Sequence, residues 1–288
     1  MDSNSYFKEA FSRNIGILSQ DEQIRLRKAC VAIPGLGGVG GAHLVALTRA
    51  GIGKFHVADY DTFEVANINR QFGAKSSTFG RKKLDVMVEE ALDINPNISI
   101  ESFPQGITEE NLNEFLDGVD VVVDGLDFFA LETRRMMFKE ARKKGVHVVT
   151  AGPMGFGCAM LVFDPVKSPD FDEYFAIRPG MDKTEKIVSF AMGLAPRGLH
   201  VGYIDMDQVD LRTGKGPSFS AACFICAGMA TVEAVRIILK RPGLNPVPHY
   251  VQFDPYRMKF VAGRLLWGNR GPLQRLKMWW VKKRLGIG

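Results

Sequence analysis

Charged and amide side chains that could act on phosphate groups follow the second apolar segment of the chain. Asp59 ends the segment 55–58, and Asn67 and Arg70 stand a short distance further on. Arg70 could neutralise charge as a phosphorus atom is attacked, and Asn67 could orient the attacking or leaving oxygen. A dinucleotide-dependent dehydrogenase has no use for such a pair just after a ribose-binding acid. The residue types therefore favour chemistry on the phosphates of ATP.

Two further charged residues extend this candidate site. Lys83 begins the next predicted helix, where it could supply a second cation. Asp127 follows the buried segment 119–123, and open α/β proteins bind ligands at the carboxyl ends of their parallel strands. A carboxylate at that edge suits a hydrated Mg²⁺ ion. Competing interpretations stay open: surface charge for Arg70 and Lys83, and capping of the following helix for Asp127.

A glycine-rich turn lies between the first apolar strand and a predicted helix. Gly35 permits a tight turn, Gly37 and Gly38 let phosphate approach the backbone, and Gly40 allows close packing of the helix. The free N–H groups of the first helical turn suit an anion. Asp59, at the end of the second strand, is placed to accept a hydrogen bond from a ribose hydroxyl. The pattern predicts a nucleotide-binding βα unit.

The charge of the chain is divided unevenly. The net charge is +5, yet nine Lys and Arg residues and no acid follow Asp254, so residues 1–254 carry −4. This argues against residues 1–254, here called the body, binding along nucleic acid. It favours a basic tail that binds a partner of its own. Four scattered cysteines and a polar start predict a reducing cytoplasm, and no uninterrupted apolar run reaches the ~18 residues of a membrane span.

Alternating strands and helices up to residue 150 predict the architecture. We expect an α/β fold with a doubly wound, mostly parallel sheet and an antiparallel extension. Residues 164–217 are rich in Gly, Pro and charge, which is typical of a lid or binding loop. The expected organisation is a single domain, 1–262, with a nucleotide-binding half (1–163), a long substrate loop (164–217), a closing helix and hairpin (218–262), and a basic amphipathic tail (263–288).

Taken together, these motifs resemble the ThiF/MoeB/HesA family of adenylating enzymes, which are related to ubiquitin-activating enzymes. The matching pieces stand in family order across residues 11–165: Arg13 in Phe11-Ser12-Arg13-Asn14, the Gly35–Gly40 turn, Asp59-Tyr60-Asp61, Asn67-Ile68-Asn69-Arg70-Gln71, Gly80-Arg81-Lys82-Lys83, and Asp124-Gly125-Leu126-Asp127. The resemblance implies a Rossmann-like adenylation domain. It also implies an adenylyltransferase reaction in which a carboxylate attacks the α-phosphate of ATP, giving an acyl-adenylate and pyrophosphate.

The resemblance also assigns roles. The implied cofactors are ATP and Mg²⁺, and the implied substrate is the C-terminal glycine of a small ubiquitin-like or sulfur-carrier protein. Gly35, Gly37, Gly38 and Gly40 form the phosphate turn, Asp59 holds the ribose with Asp61 beside it, Arg70 and Lys83 hold the phosphates, Asn67 aligns the reacting groups, and Asp127 holds Mg²⁺. Arg13 would reach a nucleotide site, often that of the partner subunit, which implies a homodimer.

The sequence departs from the family pattern in two places. Phe128 stands where many relatives have Asn after the metal-binding Asp, and Phe cannot make the expected hydrogen bond. A single Cys-x-x-Cys pair, Cys223 and Cys226, replaces the two pairs of zinc-bearing relatives, so we expect no zinc site. Whether Cys223, Cys226 or Cys158 accepts an acyl group, or is an ordinary buried cysteine, stays open.

Other functions and a role for the tail remain alternatives. The same motifs also resemble a tRNA threonylcarbamoyladenosine dehydratase, although the acidic body argues against tRNA. A nicotinamide oxidoreductase and a non-catalytic nucleotide-binding scaffold are further alternatives, and Phe128 supports the scaffold. The tail, with Leu273, Leu276 and Trp280 among basic residues, could pack on its own protein, a dimer mate, another partner or an anionic membrane.

Overall fold

A single eight-stranded sheet organises the computed structural model, which describes residues 2–210 and 213–285. The strands are β1 (Cys30–Pro34), β2 (Lys54–Ala58), β3 (Ser99–Phe103), β4 (Val121–Asp124), β5 (His147–Met154), β6 (Gly157–Phe163), β7 (His249–Asp254) and β8 (Lys259–Arg264). Their order across the sheet is β3-β2-β1-β4-β5-β6-β7-β8. Neighbouring strands from β3 to β5 pair in parallel, and β6, β7 and β8 pair antiparallel. The predicted fold class is therefore confirmed.

Helices cover both faces of the sheet. They are α1 (Ser3–Ala10), α2 (Gln20–Lys28), α3 (Gly38–Ala50), α4 (Lys83–Ile94), α5 (Leu112–Phe115), α6 (Leu131–Lys143), α7 (Phe171–Phe175), α8 (Lys183–Leu194), α9 (Ser220–Leu239) and α10 (Pro272–Leu285). After β1 the chain adds β2 and then β3 on one side of the sheet, whereas after β4 it adds β5 and β6 on the other side. The crevice at the carboxyl ends of these two neighbouring strands is where a doubly wound sheet binds its ligand.

Alternation along the strands divides the core into two layers. In β1, Val31 and Ile33 join the apolar cluster that contains α9, whereas Ala32 joins the opposite cluster with Phe190 of α8. Successive strand residues point to opposite faces, so a strand covered on both sides needs apolar residues throughout. This explains why β1 is continuously apolar and fully buried.

The helix α9 is long and apolar enough to cross a membrane by length and composition alone, with a mean hydropathy of 1.9. The core helix of a folded domain passes the same test. Here one face of α9, including Cys226 and Ala230, packs against the sheet, and the opposite face exposes Phe224 and Val232. The helix thus serves as a core element in this structure.

Residues 164–217 contain more regular structure than we expected. They include α7 and the twelve-residue α8, whose first turn has a capping box between Asp182 and Glu185. Buried Phe190 and Leu194 of α8 pack under the sheet. The segment predicted to be a long substrate loop therefore contains two helices, because α8 carries an apolar face at helical spacing. Its role as a lid or binding loop stays a prediction. The tail forms α10 and packs on α8; the domain boundaries remain predictions.

Acid should destabilise the fold through His43. This α3 side chain is fully buried, neither ring nitrogen has a partner among the described residues, and burial lowers its pKa to about 4 from 6.5. The unfolded chain therefore binds a proton more readily than the folded chain below pH 6.5. The free energy of unfolding is unaffected by His43 above that pH and decreases as the pH falls from 6.5 toward 4. We expect wild type to lose about 3 kcal/mol more stability than His43→Leu over this window. Urea titrations at several pH values measure the difference, and parallel pH profiles would contradict it.

Candidate active site

A large cavity of about 1550 Å³ opens at the carboxyl ends of β1, β2 and β4. Its walls include the glycine turn, the segments that follow β2 and β4, and parts of α8, α9 and α10. The position agrees with the ligand crevice of a doubly wound sheet. The residues predicted to form the site can therefore be placed relative to one cavity.

The glycine turn has the geometry that its sequence predicts. Gly35 has a φ of +86°, which favours glycine, and a Cβ on Gly40 would lie 1.8 Å from the Gly35 carbonyl oxygen. Gly40 thus allows α3 to pack directly on the turn, as predicted. Gly37 and Gly38 line the cavity at the start of α3. The first-turn N–H groups of α3 are therefore close to any anion bound there.

Asp59 connects the end of β2 to the glycine turn. Its Oδ2 accepts a hydrogen bond from the Leu36 N–H (2.7 Å), and its Oδ1 accepts one from the Asp61 N–H (2.8 Å). Burial raises the pKa of Asp59, while these hydrogen bonds and the charge of Lys83 oppose the rise. Asp59 thus lines the cavity and holds the glycine turn in position, while its role in binding a ribose stays a prediction.

Lys83 is buried at the beginning of α4, yet it borders the cavity. Its Nζ donates to Asp61 Oδ2 over 2.8 Å, and its backbone N–H donates to the Asp61 carbonyl. Asp61 itself is exposed. A buried ammonium group with a carboxylate partner is a poor candidate for ordinary surface charge, because lysine is seldom buried. The burial of Lys83 therefore favours a role in the candidate site over that of an ordinary surface charge.

Arg70 lies beside the glycine turn. Its Nη1 donates to the Ala66 carbonyl (3.0 Å) and to Asn69 Oδ1 (2.9 Å). A Cβ on Gly38 would lie 3.7 Å from Arg70 Cγ, so the arginine borders the position where phosphate would meet the turn. The Asn69 amide in turn donates to the Ser218 carbonyl (2.9 Å). Arg70 is thus held in place by its own segment.

Three predicted residues are not among the described residues that line the cavity: Gly40, whose role in packing is given above, Asn67 and Arg13. Asn67 accepts a hydrogen bond from the Glu64 N–H (3.0 Å) and caps its own short helical turn. Arg13 is exposed in the 3-10 turn Ser12–Asn14. The role of Asn67 in aligning the reacting groups, and that of Arg13 in a partner's site, stay predictions.

Gln71 is a candidate that our sequence analysis missed. It is 8% exposed, lines the cavity, and its Oε1 has no hydrogen-bond partner among the described residues. Its Nε2 would lie 3.6 Å from a Cβ on Gly37. The local sequence does not single out Gln71, because Glu64 and Asn67 lack the usual residue types of a capping box and the capping bond of Asn67 is seen only in the structure.

A buried ion pair fixes the segment after β4. Asp124 Oδ2 accepts hydrogen bonds from Arg134 Nε and Thr150 Oγ1, both over 2.8 Å. Arg134 also donates to the carbonyls of Leu126 and Asp127. This network sets the position of Asp127 at the cavity wall, where its Oδ1 accepts from the Phe129 N–H (2.9 Å).

Removing Arg134 should strongly destabilise the protein. Arg134 and Asp124 are each 3% exposed, and losing one partner leaves a buried charge uncompensated. We expect Arg134→Met to lower the free energy of unfolding by about 3–5 kcal/mol. Arg81→Met, which breaks the exposed pair with Glu89, should cost less than about 1 kcal/mol. Urea denaturation measures both; equal losses would show that the buried pair has no special role.

Phe128 also lines the cavity, and its ring packs on Phe190 with a centroid distance of 5.2 Å. The backbone carbonyl of Phe128 accepts a hydrogen bond from Arg134 (3.4 Å). Phe128 therefore replaces the polar contact expected at this position by apolar packing between the β4 segment and α8.

The cysteine thiols are buried. Cys223 lies beside the glycine turn, 3.2 Å from a Cβ on Gly38, and burial raises its pKa although Arg70 opposes the rise. Burial and the neighbouring Cys158 raise the pKa of Cys226 well above its ordinary value. High pKa values disfavour a thiolate acceptor. Across residues 2–210 and 213–285, no three His, Cys, Asp or Glu side chains are grouped to hold a metal; the absence of zinc stays a prediction.

Three of the matches to known families and proteins show how far the similarity extends. The ThiF family model matches residues 11–267. The chain is 35% identical to the tRNA threonylcarbamoyladenosine dehydratase of Haemophilus influenzae over 140 residues, which cover 48% of this chain and 53% of that protein. It is 42% identical to Ubiquitin-like modifier-activating enzyme 5 of Arabidopsis thaliana over 108 residues, covering 38% of this chain and 24% of that protein. The chain thus matches about half of the first relative's length and a quarter of the second's.

Solved structures extend the likeness of the fold. PaaA has a TM-score of 0.68 at 19% identity, covering 92% of this chain and 74% of its own. E. coli MccB, solved with ATP, has a TM-score of 0.62 at 19% identity, covering 88% of this chain and 67% of its own. At this identity the likeness concerns the fold alone. Because the family model spans nearly the whole chain and the glycine turn, Asp59, Arg70, Lys83 and Asp127 border one cavity, the protein belongs to the ThiF family.

Proposed function

We propose that this adenylyltransferase-like member of the ThiF family uses ATP to activate a carboxylate as an acyl-adenylate. The observation that carries the proposal is the convergence of Arg70, Lys83 and Asp127 on one cavity, beside the free N–H groups at the start of α3. This set of cations and one acid serves to position and neutralise phosphate groups.

In the proposed reaction an oxygen of the substrate carboxylate attacks the α-phosphorus of ATP. The bond from that phosphorus to the bridging oxygen breaks, and pyrophosphate leaves with the electron pair. The carboxylate is ionised at neutral pH, so no proton has to be removed and no general base is required. Arg70, Lys83 and the α3 N–H groups would stabilise the charge on the phosphates, and Asp59 would hold the ribose.

Asp127 fits the role of a magnesium ligand. Its carboxylate borders the cavity, and one of its oxygens accepts a hydrogen bond from the Phe129 N–H, which fixes its orientation. Carboxylate oxygens suit Mg²⁺, which neutralises phosphate charge when it is bound.

The proposed substrate is the C-terminal glycine of a small ubiquitin-like or sulfur-carrier protein. The similarity to a ubiquitin-like modifier-activating enzyme supports it. The second candidate is modification of tRNA, which the similarity to a tRNA threonylcarbamoyladenosine dehydratase favours. The net charge of −4 on residues 1–254 weighs against tRNA, because binding to nucleic acid depends on many basic contacts.

We further propose a homodimer in the cytoplasm. Phe224 and Val232 are exposed on the outer face of α9, which would let a second copy cover that face. Arg13, which does not line the cavity of its own chain, would then act in the site of the partner subunit. The described cysteines are free thiols, which fits a reducing compartment.

Exchange of radiolabelled pyrophosphate into ATP tests the proposal. The purified protein with Mg²⁺ is given carrier proteins that end in Gly-Gly, or bulk tRNA. Exchange that requires one carboxylate-bearing partner and falls in Asp127→Asn supports adenylation. Exchange that requires tRNA supports the second candidate, and ATP binding without exchange under any partner favours a non-catalytic scaffold, for which Phe128 is the best support.

A further inference from the structure

The cavity is larger than a nucleotide site requires. Small-molecule pockets usually enclose about 300–1,000 Å³, whereas this cavity measures about 1550 Å³. Its nucleotide half contains the glycine turn and the ends of β2 and β4. The other half, here named the outer half, lies between α8, the segment 195–204 and α10.

The outer half is apolar and lacks acids. Ile187, Val188 and Ala191 of α8, with Val201 and Ile204, form its wall. Among the described lining residues, the acids are all near the ends of β2 and β4: Asp59, Asp61, Asp124 and Asp127. The charged residues of the outer half that line the cavity are basic: Arg197 and Lys277. Such a wall suits an apolar ligand that carries a negative group.

The helix α10 completes this wall with an inverted distribution of side chains. Gln274 is 2% exposed and donates to the Met192 carbonyl (2.9 Å), and Lys277 donates to the Pro196 carbonyl (3.0 Å). Leu276 and Trp279 border the cavity and are 61% and 58% exposed. A surface helix normally buries its apolar side chains and exposes its polar ones. Here polar residues anchor the helix to α8 while apolar residues remain at the cavity mouth for a further molecule to cover.

We propose, resting on the proposed function, that the activated carboxylate ends a peptide segment whose preceding residues are large and apolar. The carboxylate would reach the nucleotide half, and the apolar side chains would lie on α8, Leu276 and Trp279. A tail of glycines alone offers no side chains for this wall. Arg197, Lys277 and Trp279 could contact RNA as well, but the aliphatic wall of α8 offers its phosphates no cation and its bases no stacking partner.

Tryptophan fluorescence of the full chain tests this inference. Trp279 and Trp280 border the cavity, whereas Trp267 lies outside its described lining. The probes are two synthetic peptides that end in glycine with a free carboxylate. One has Leu and Phe before the glycine, and the other has Ser and Asn. We expect the apolar peptide to change the emission and to bind about tenfold tighter or more than the polar peptide.

A matched pair of variants locates the contact. Leu273 and Leu276 are both exposed on α10, but Leu276 borders the cavity and Leu273 is not among the described lining residues. Leu276→Ser should weaken the apolar peptide about tenfold, and Leu273→Ser less than about twofold. Equal affinity for the two peptides, binding of neither, equal losses in the two variants, or displacement of the peptide by bulk tRNA would each overturn the inference.

Pyrophosphate exchange in the same samples separates this inference from the proposed function. If the apolar peptide binds tightly but no exchange occurs in any condition, adenylation is contradicted. The inference about apolar recognition would still hold. Exchange that is as fast with the polar peptide as with the apolar one would support adenylation and overturn the apolar recognition.

Discussion

Gly38→Ala is expected to weaken ATP binding about tenfold or more while the protein stays folded. Gly38 is the first residue of α3, so alanine suits its helical position, and its new Cβ would lie 3.2 Å from Cys223 Sγ, a side-chain atom. The added methyl group occupies the lining of the cavity where phosphate is expected to approach the backbone. Isothermal titration calorimetry with ATP and Mg²⁺ measures the loss.

Gly40→Ala, two residues along the same helix, is the matched control. Its Cβ would lie 1.8 Å from the Gly35 carbonyl oxygen, a backbone atom that cannot move without opening the turn. We expect this variant to lose about 3 kcal/mol or more of stability in urea denaturation, unlike Gly38→Ala. The double variant Gly38→Ala, Cys223→Ala separates two causes: recovered ATP affinity would mean that the methyl group acts through the thiol and not on phosphate.

Lys83→Met should reduce kcat/KM for pyrophosphate exchange by about 100- to 1,000-fold, because one preorganised cation is lost where the leaving phosphates gain charge. Methionine keeps most of the buried volume, and Asp61, the partner of Lys83, is exposed, so the fold should tolerate the change. Arg70→Gln should reduce exchange by a similar factor. Initial exchange rates at several ATP concentrations measure both effects.

The neighbouring Lys82 gives the control for this prediction. Lys82 is exposed, precedes α4 and is not among the described residues lining the cavity. Lys82→Met changes the net charge equally and should leave the exchange rate within about twofold, since exposed charges act weakly through water. An equal loss in both variants would mean that Lys83 acts through the overall charge of the protein and not as a phosphate-binding group.

The parallel half of the fold could be predicted because its signals are local. The continuous apolar run of β1, the glycines at the start of α3 and Asp59 after β2 each indicate their structure from a few neighbouring residues. The helix α8 was missed because its apolar positions stand in a segment rich in Gly, Pro and charge, although the capping box at Asp182 indicated its start. Composition over a long segment concealed a short periodic pattern within it.

The sequence is enough to place Arg70, Lys83 and Asp127 at the cavity, but not to place Arg13 or the amide side chains. Lys83 and Arg70 border the cavity because α4 and the segment after β2 begin at the same edge of the sheet. Local sequence does not decide which residue of the 67–71 segment turns inward; the capping bond of Asn67 does. The inverted face of α10 depends on carbonyls in α8 and just after it, more than 80 residues away in the chain, and no local pattern contains that information.

The docking of α10 on α8 has a consequence for the order of synthesis. A ribosome makes the glycine turn, Arg70, Lys83 and α8 well before it makes residues 272–285. Domains tend to fold as they emerge, and apolar surface that waits for its partner is prone to aggregation. The surface of α8 that contacts α10, at Glu185, Ser189 and Met192, stays uncovered until α10 has been made. The nascent chain therefore passes through a stage in which the residues of the nucleotide half have been made and the outer half still lacks α10.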